Sequence, residues 1–344
     1  MRAVVLTRRG PPEVLAVEQR PDPAPGPGEI RIAVEAAGVN FADLLARAGL
    51  YPDSPKPPCV LGYEVAGTVE SAGAGVETPR VGERVVAGTR FNGQAELAVA
   101  RAENAIGLPA DMTAAAATSI PVNYATAFAA LVLMAGLRPD ERVLIHSAAG
   151  GVGTAATQIA RHIGALVIGT ASGRKHEVVR AQGADHVIDY RAQDVAAEVR
   201  RITGGGGVDV VLNALGPTTL RRDYRLLRPG GRLIAYGVSQ LQTGERRDLR
   251  AALGTVLAFP FATMPWWKGP AILNENKGVF GLNMLHWWDT EGNLARVIGP
   301  LQDLVARGIV QPVVDSEFPF ERAPDAHRRL MSGDSIGKVV LTPR

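Results

Sequence analysis

The chain has 344 residues, 46% of them apolar and 21% charged, ordinary globular usage that excludes wholesale disorder and fibrous repeats. At roughly 100–200 residues per domain, this length predicts two domains. Lys and Arg number 37 against 34 Asp and Glu, a net charge of +3, too small for a nucleic-acid surface. A single cysteine, Cys59, excludes an internal disulfide and a multi-cysteine zinc site.

Ala3 to Leu6 is the only apolar stretch before Arg8 and Arg9, which reads as a first strand rather than a secretion signal. Two longer uncharged runs follow. Met112–Leu137 carries Pro121 and Asn123, and Ala251–Trp267 carries Pro260 and Pro265. A spanning helix needs about 20 predominantly apolar residues, and neither run is expected to hold as one. The expected location is cytoplasmic.

Over the first 110 or so residues, Val4–Leu6, Glu29–Val34, Val65–Val69 and Glu83–Val86 are strand-like runs separated by Pro and Gly. That spacing predicts a compact, mostly antiparallel β-domain. From Arg142 the texture changes. Val143–His146, Leu166–Ile168, His186–Ile188, Val208–Leu212 and Arg232–Tyr236 are strand candidates. Helices are expected between the first three, over 153–163 and 174–182. This alternation predicts a parallel sheet covered on both faces. A last helix, about 293–307, leads to a closing strand, Lys338–Leu341.

Ala148-Ala149-Gly150-Gly151-Val152-Gly153 follows a strand and opens a helix, the context in which a glycine loop cradles a dinucleotide pyrophosphate. Ala148 stands where the usual fingerprint has its first glycine. A glycine-rich turn without a ligand is the plain alternative. After the next strand comes Gly169-Thr-Ala-Ser-Gly-Arg-Lys175, with no acid before Glu177. A carboxylate there would repel a 2′-phosphate, whereas a hydroxyl and two cations accept it. NADPH is therefore expected over NADH, unless Arg174 and Lys175 are only a solvated helix start.

Gly38-Val-Asn-Phe-Ala-Asp43, Gly49-Leu-Tyr-Pro52, Leu61-Gly-Tyr-Glu-Val-Ala-Gly67, Asn123-Tyr-Ala-Thr-Ala127, the glycine loop and Gly337-Lys-Val-Val-Leu341 occur in order. Together they resemble the medium-chain dehydrogenase/reductase superfamily, in its zinc-independent quinone oxidoreductase branch. Ser172–Glu177, Tyr236–Gly244 and Gly278–Met284 narrow the resemblance to vesicle amine transport protein homologues. The resemblance implies an α/β chain: a GroES-like catalytic β-domain at 1–123, a doubly wound Rossmann NADPH-binding domain at 124–285, and a return segment at 286–344. It also implies a homodimer. Cofactor contacts carried over from it fall on Ala149, Gly150, Gly151, Val152 and Gly153, on Ser172, Lys175 and Tyr190 for the 2′-phosphate, and on Thr126, Asn213, Tyr236, Phe280, Gly281 and Leu282 near ribose and nicotinamide.

Where zinc-containing relatives place a cysteine and a histidine, this sequence has Asn40 and Tyr63, and the third ligand position falls near Val122 or Asn123. Amide and phenol are not usual zinc ligands, so no metal is expected. Without a Lewis acid, the chemistry that remains is hydride transfer to acceptors that delocalise the incoming charge, quinones or α,β-unsaturated carbonyls. Asn40, Tyr51 and Tyr63 are the candidate catalytic donors. Plainer readings give Asn40 a turn and Tyr63 a vacated volume. No Lys stands four residues after any of the six tyrosines, which removes a Tyr-x-x-x-Lys scheme. Cys59 and His146 read as core. Phe259, Phe261, Trp266, Trp267, Trp287 and Trp288 form an aromatic patch beside His286, read as core or dimer contact ahead of an apolar mouth for lipid or a hydrophobic substrate. A non-catalytic NADPH-binding or membrane-peripheral protein and an enoyl-thioester reductase are the competing functions; no nucleic-acid partner is expected.

Overall fold

The computed structural model describes residues 1–239, 273–290 and 295–344. Phe259, Phe261, Trp266, Trp267 and the run Ala251–Trp267 lie outside them. The described residues divide into two compact units, one of 1–125 with 288–290 and 295–344, the other of 126–239 with 273–287.

The first unit is built on the strand Glu29–Val39. It pairs with Glu64–Ala72 along one edge and with both Leu97–Arg101 and Lys338–Thr342 along the other. All three pairings are antiparallel; the one parallel pair in this seven-stranded sheet joins Val314–Pro319 to Lys338–Thr342. Ile30, Ile32 and Val34 alternate with the less buried Arg31, Ala33 and Glu35 and pack on Val65, Val69, Val85 and Ala98, the period of two expected of a strand with one buried face. From Ala36 onward both faces are buried. Ala115 and Val340 pack on Ala36, while Leu44, Phe320, Ala326 and Leu341 cluster with Val39. The end of this strand therefore lies in the deepest part of the unit.

Helix Phe41–Ala48 begins at once. Asn40 is its N-cap in extended conformation, and Gly49 ends it at φ 76°, a left-handed geometry that glycine adopts without strain. A second helix, Ala323–Met331, packs on it. Between them Arg47 Nε donates to His327 Nδ1 at 3.3 Å, with both residues buried.

The second unit holds a six-stranded parallel sheet in the order His186–Asp189, Leu166–Ala171, Arg142–Ile145, Val208–Asn213, Leu227–Ala235, Gly278–Gly281. In chain order this is 3-2-1-4-5-6, the doubly wound arrangement whose ligands bind at the carboxyl ends of the strands. Leu144, Ile168, Val211 and Leu233 are fully buried at its centre.

Residues 114–134 form one 21-residue helix in spite of Pro121, long and apolar enough to cross a membrane by length and composition alone. Proline lacks the N–H a helix interior requires. The run Ile120–Tyr124 widens into a π-turn in which Tyr124 N–H reaches back five residues to Ser119 O, and so accommodates it. Most of the helix is buried inside the protein.

His327 provides a stability test. Burial, followed by the charge of Arg47, pushes its pKa down from 6.5 to about 3. The unfolded chain takes up a proton on this imidazole below pH 6.5 and the folded chain does not. Its contribution is thus complete above 6.5 and is lost as pH falls toward 3, at up to about 1.4 kcal/mol per pH unit. Urea midpoints between pH 7 and pH 5 should fall more steeply for the wild type than for His327→Asn; parallel slopes would clear this residue of the effect.

Candidate functional site

Register brings three distant residues together. Val339 faces Val39, which sets Lys338 beside Asn40, and Val65 faces Ala37, which sets Glu64 beside Gly38. All three side chains are buried. Lys338 Nζ donates to Glu64 Oε1 at 2.5 Å and to Asn40 Oδ1 at 2.6 Å, and Asn40 Nδ2 donates to Glu64 Oε1 at 2.7 Å. A side chain at Gly38 would overlap the Glu64 carboxylate and crowd the stem of Lys338. Glycine is required there for space, not for its dihedral freedom.

Asp43 secures Asn40 from the other side. Its Oδ2 accepts the Asn40 backbone N–H at 2.8 Å, and its Oδ1 accepts Gly62 N–H at 3.1 Å. The Asn40 carboxamide itself turns to Glu64 and Lys338. Burial pushes Asp43 up to about 7 against the pull of those two N–H groups. It also raises Glu64, opposed by Lys338.

Tyr63 adjoins this cluster in the chain. Tyr51 meets it edge-on at 6.4 Å between centroids and Phe91 lies tilted at 5.2 Å. The Tyr63 hydroxyl is buried with no hydrogen-bond partner among the described residues, and burial raises its pKa well above the usual phenol range. Tyr63 is a neutral donor without an acceptor. Trp288, partly buried, lies against Gly88 at the place a side chain would occupy. Cys59 is half-buried, its thiol pushed up by burial.

In the second unit the cofactor candidates other than Thr126 follow or end the strands of the parallel sheet at their carboxyl edge. Ser147, at φ 53°, turns the chain after the strand Arg142–Ile145, and Gly150 N–H closes the turn on Ser147 O at 2.8 Å. Gly150 caps the helix Gly151–Ile163, whose first N–H groups lack intrahelical acceptors and attract an anion. A Cβ on Gly153 would come within 2.7 Å of Ala148 Cα, so glycine permits the close contact of helix and strand. The missing first glycine is compensated across the sheet: a Cβ on Gly169 would lie 2.9 Å from Ala148 Cβ. With Ala148 in the loop, the facing strand has room only for glycine at 169.

Ser172 and Lys175 are buried at the end of the second strand, while Tyr190 is 50% exposed at the end of the third. An acid does approach this corner, although not from the same strand: Asp189 Oδ2 accepts Gly173 N–H at 3.0 Å. Thr126 is buried, Phe280 is 40% exposed and Leu282 is buried. Tyr236 N–H is bonded to Asn213 O, and burial raises the Tyr236 phenol.

The Asn213 side chain is committed within the protein. Its Oδ1 accepts Leu215 and Gly216 N–H at 2.9 and 3.0 Å, and its Nδ2 donates to Thr219 Oγ1 at 2.8 Å and Asp223 Oδ2 at 2.5 Å. Asp223 also bonds His146 Nε2 at 3.0 Å, and His146 Nδ1 meets Thr170 Oγ1 at 3.1 Å. Burial would raise Asp223, but His146 and Arg222 bring it below the usual carboxylate range. His146 is a satisfied core side chain, and with Asn213 it shapes the turn after the fourth strand.

Sequence reasoning quoted Glu64 and Lys338 without giving them a role. The signal was present: each is a charged residue entering an apolar strand, Glu64-Val-Ala and Lys338-Val-Val-Leu, where an unpaired charge would be costly.

Comparison with known proteins agrees with this architecture. The alcohol dehydrogenase GroES-like domain family matches residues 26–135, and the zinc-binding dehydrogenase family matches 182–341. The synaptic vesicle membrane protein VAT-1 homolog of Rattus norvegicus is 38% identical over 353 aligned positions, covering 100% of this chain and 84% of the relative. The chain belongs to the medium-chain dehydrogenase/reductase superfamily, as a VAT-1-like member of its quinone oxidoreductase branch. The crystal structure of the human VAT-1 homolog-like protein superposes with a TM-score of 0.83 at 33% identity, covering 99% of this chain and 98% of that one. Escherichia coli quinone oxidoreductase complexed with NADPH gives 0.83 at 30% identity, with both chains fully covered. The protein is thus an oxidoreductase of that superfamily.

Gly38→Ala tests the buried cluster. It forces the Glu64 and Lys338 side chains apart and should cost about 2–4 kcal/mol of stability, read as a lowered denaturation midpoint. A neutral result would mean that the strand ends do not close on one another as described.

Proposed function

We propose that this protein is an NADPH-dependent reductase that delivers hydride to a quinone or an α,β-unsaturated carbonyl without zinc. The observation that carries the reading is the buried ammonium of Lys338, bonded to both Asn40 and Glu64. The family description implies zinc, but the donor set does not suit it. A dication beside Asn40 and Glu64 would face that ammonium directly, and the neighbouring groups are a carboxamide and a phenol. Among the described residues, no three His, Cys, Asp or Glu side chains converge as a ligand set.

The residues present do suit NADPH. The glycine loop offers the N–H groups of a 13-residue helix to a pyrophosphate. Ser172 and Lys175 suit a 2′-phosphate, and no acid ends their own strand. When bound, the nicotinamide supplies a hydride to the electron-poor carbon of the acceptor. Asn40 donates an N–H to the oxygen on which negative charge collects, a contact that strengthens as the charge grows. Tyr63 stays protonated and is a second donor, Tyr51 presents an aromatic face to a planar acceptor, and solvent returns the proton. The NADPH complex of the bacterial quinone oxidoreductase favours the same cofactor here. A homodimer fits the edge position of the strand Gly278–Gly281 among the described strands, where Phe280 is exposed.

Fluorescence titration should show NADPH binding more tightly than NADH. Lys175→Ala should weaken NADPH by about tenfold, roughly 1.4 kcal/mol, and leave NADH nearly unchanged. Equal affinities in the wild type would remove the phosphate reading. In steady-state assays with 1,4-naphthoquinone and with an enone, Asn40→Ala should lower kcat by about tenfold or more. Tight NADPH binding with no turnover of either acceptor would favour a non-catalytic role.

A further inference from the structure

The Asn40 carboxamide has a fixed orientation. Lys338 carries only donors, so the Asn40 atom 2.6 Å from it must be the oxygen. The nitrogen then faces Glu64 Oε1, with one of its two hydrogens committed at 2.7 Å. Asp43 fixes the backbone of the same residue. One Nδ2 hydrogen is left without a partner among the described residues. The amide lies between an ammonium on its oxygen and a carboxylate on its nitrogen, with all three groups buried. In a low-dielectric setting, such bonds are strengthened. The Lys338 charge draws density toward the Asn40 oxygen and makes the nitrogen a better donor.

We propose that Lys338 and Glu64 are positioning residues for catalysis: together they lock the Asn40 carboxamide in one flip state, and the Lys338 charge strengthens its one uncommitted N–H as the donor to the carbonyl oxygen of the acceptor. This rests on the reading that Asn40 contacts substrate. Neither residue touches the acceptor; both act through Asn40. Glu64 Oε2 is buried without a hydrogen-bond partner among the described residues, so the network is built around Oε1 alone, the oxygen that both Asn40 and Lys338 use. The ion pair closes directly and would need no third member, yet Asn40 bonds both of its partners, which is what a positioning role requires.

Removing Lys338 alone would strand a buried carboxylate, so the test replaces both charges together as Glu64→Gln/Lys338→Met, a swap that buried pairs often tolerate. With 1,4-naphthoquinone and saturating NADPH, kcat should fall by about tenfold to a hundredfold, while the NADPH dissociation constant stays put. In an Asn40→Ala background, the same double change should alter kcat by less than about twofold, because non-additivity marks residues that act as a unit. An equal loss in both backgrounds overturns the proposal and leaves the role of Asn40 standing. No loss from Asn40→Ala itself overturns that role instead. A second readout needs no turnover: with asparagine-selective 15N labelling, the two Asn40 Nδ2 protons, assigned through their absence in Asn40→Ala, should be widely split, the one on Glu64 downfield and slow to exchange. The split should collapse in the double variant, and its absence from the wild type would refute the locked geometry.

Discussion

A buried ammonium bonded at once to a carboxylate and a carboxamide is the constraint on which the first unit turns. Lys338 lies almost three hundred residues from Asn40 in the chain, and the two meet only if the closing strand pairs with the end of Glu29–Val39 in one register. A slip of one residue would turn every side chain to the opposite face. It would leave Glu64 charged in the interior without a partner. The polar cluster therefore does for register what the apolar alternation of Ile30, Ile32 and Val34 does for the face of the sheet.

The same arrangement gives the site its chemistry. A region built for a divalent cation needs anionic or soft ligands around an open centre. Here a buried cation, the Lys338 ammonium, already bonds Asn40 and Glu64. Under the proposed function, a reacting carbonyl would receive hydrogen bonds from Asn40 and Tyr63, in surroundings that raise the pKa of each acid nearby. Such groups aid a reaction whose developing charge is already spread over a conjugated acceptor. The second unit follows a separate logic, with backbone N–H groups of one helix and two buried polar side chains, Ser172 and Lys175, at the carboxyl ends of parallel strands.

Much of this was legible in the chain. The glycine loop, the strand–helix alternation after Arg142 and the short strands before it each have a local physical cause, and the elements stand where those causes predict. The helix through Pro121 was not foreseen, because a π-turn that absorbs the missing N–H has no separate mark in composition. The commitment of the Asn213 amide to Thr219 and Asp223 was equally hidden. A residue type names the hydrogen bonds a side chain is able to make, and packing decides which of them it makes.

The sequence by itself determined element types, the two-unit division of texture and the family, since turn chemistry, periodicity and motif spacing are properties of neighbouring residues. Tertiary structure alone decided that Gly38, Asn40, Glu64 and Lys338 form one cluster, that Gly169 leaves room for the Ala148 side chain, and that Asp189 reaches Gly173 from another strand. Each of these depends on strand register across long separations, where the burial of charge and the exclusion of overlapping atoms select one pairing from many that local propensity leaves equal.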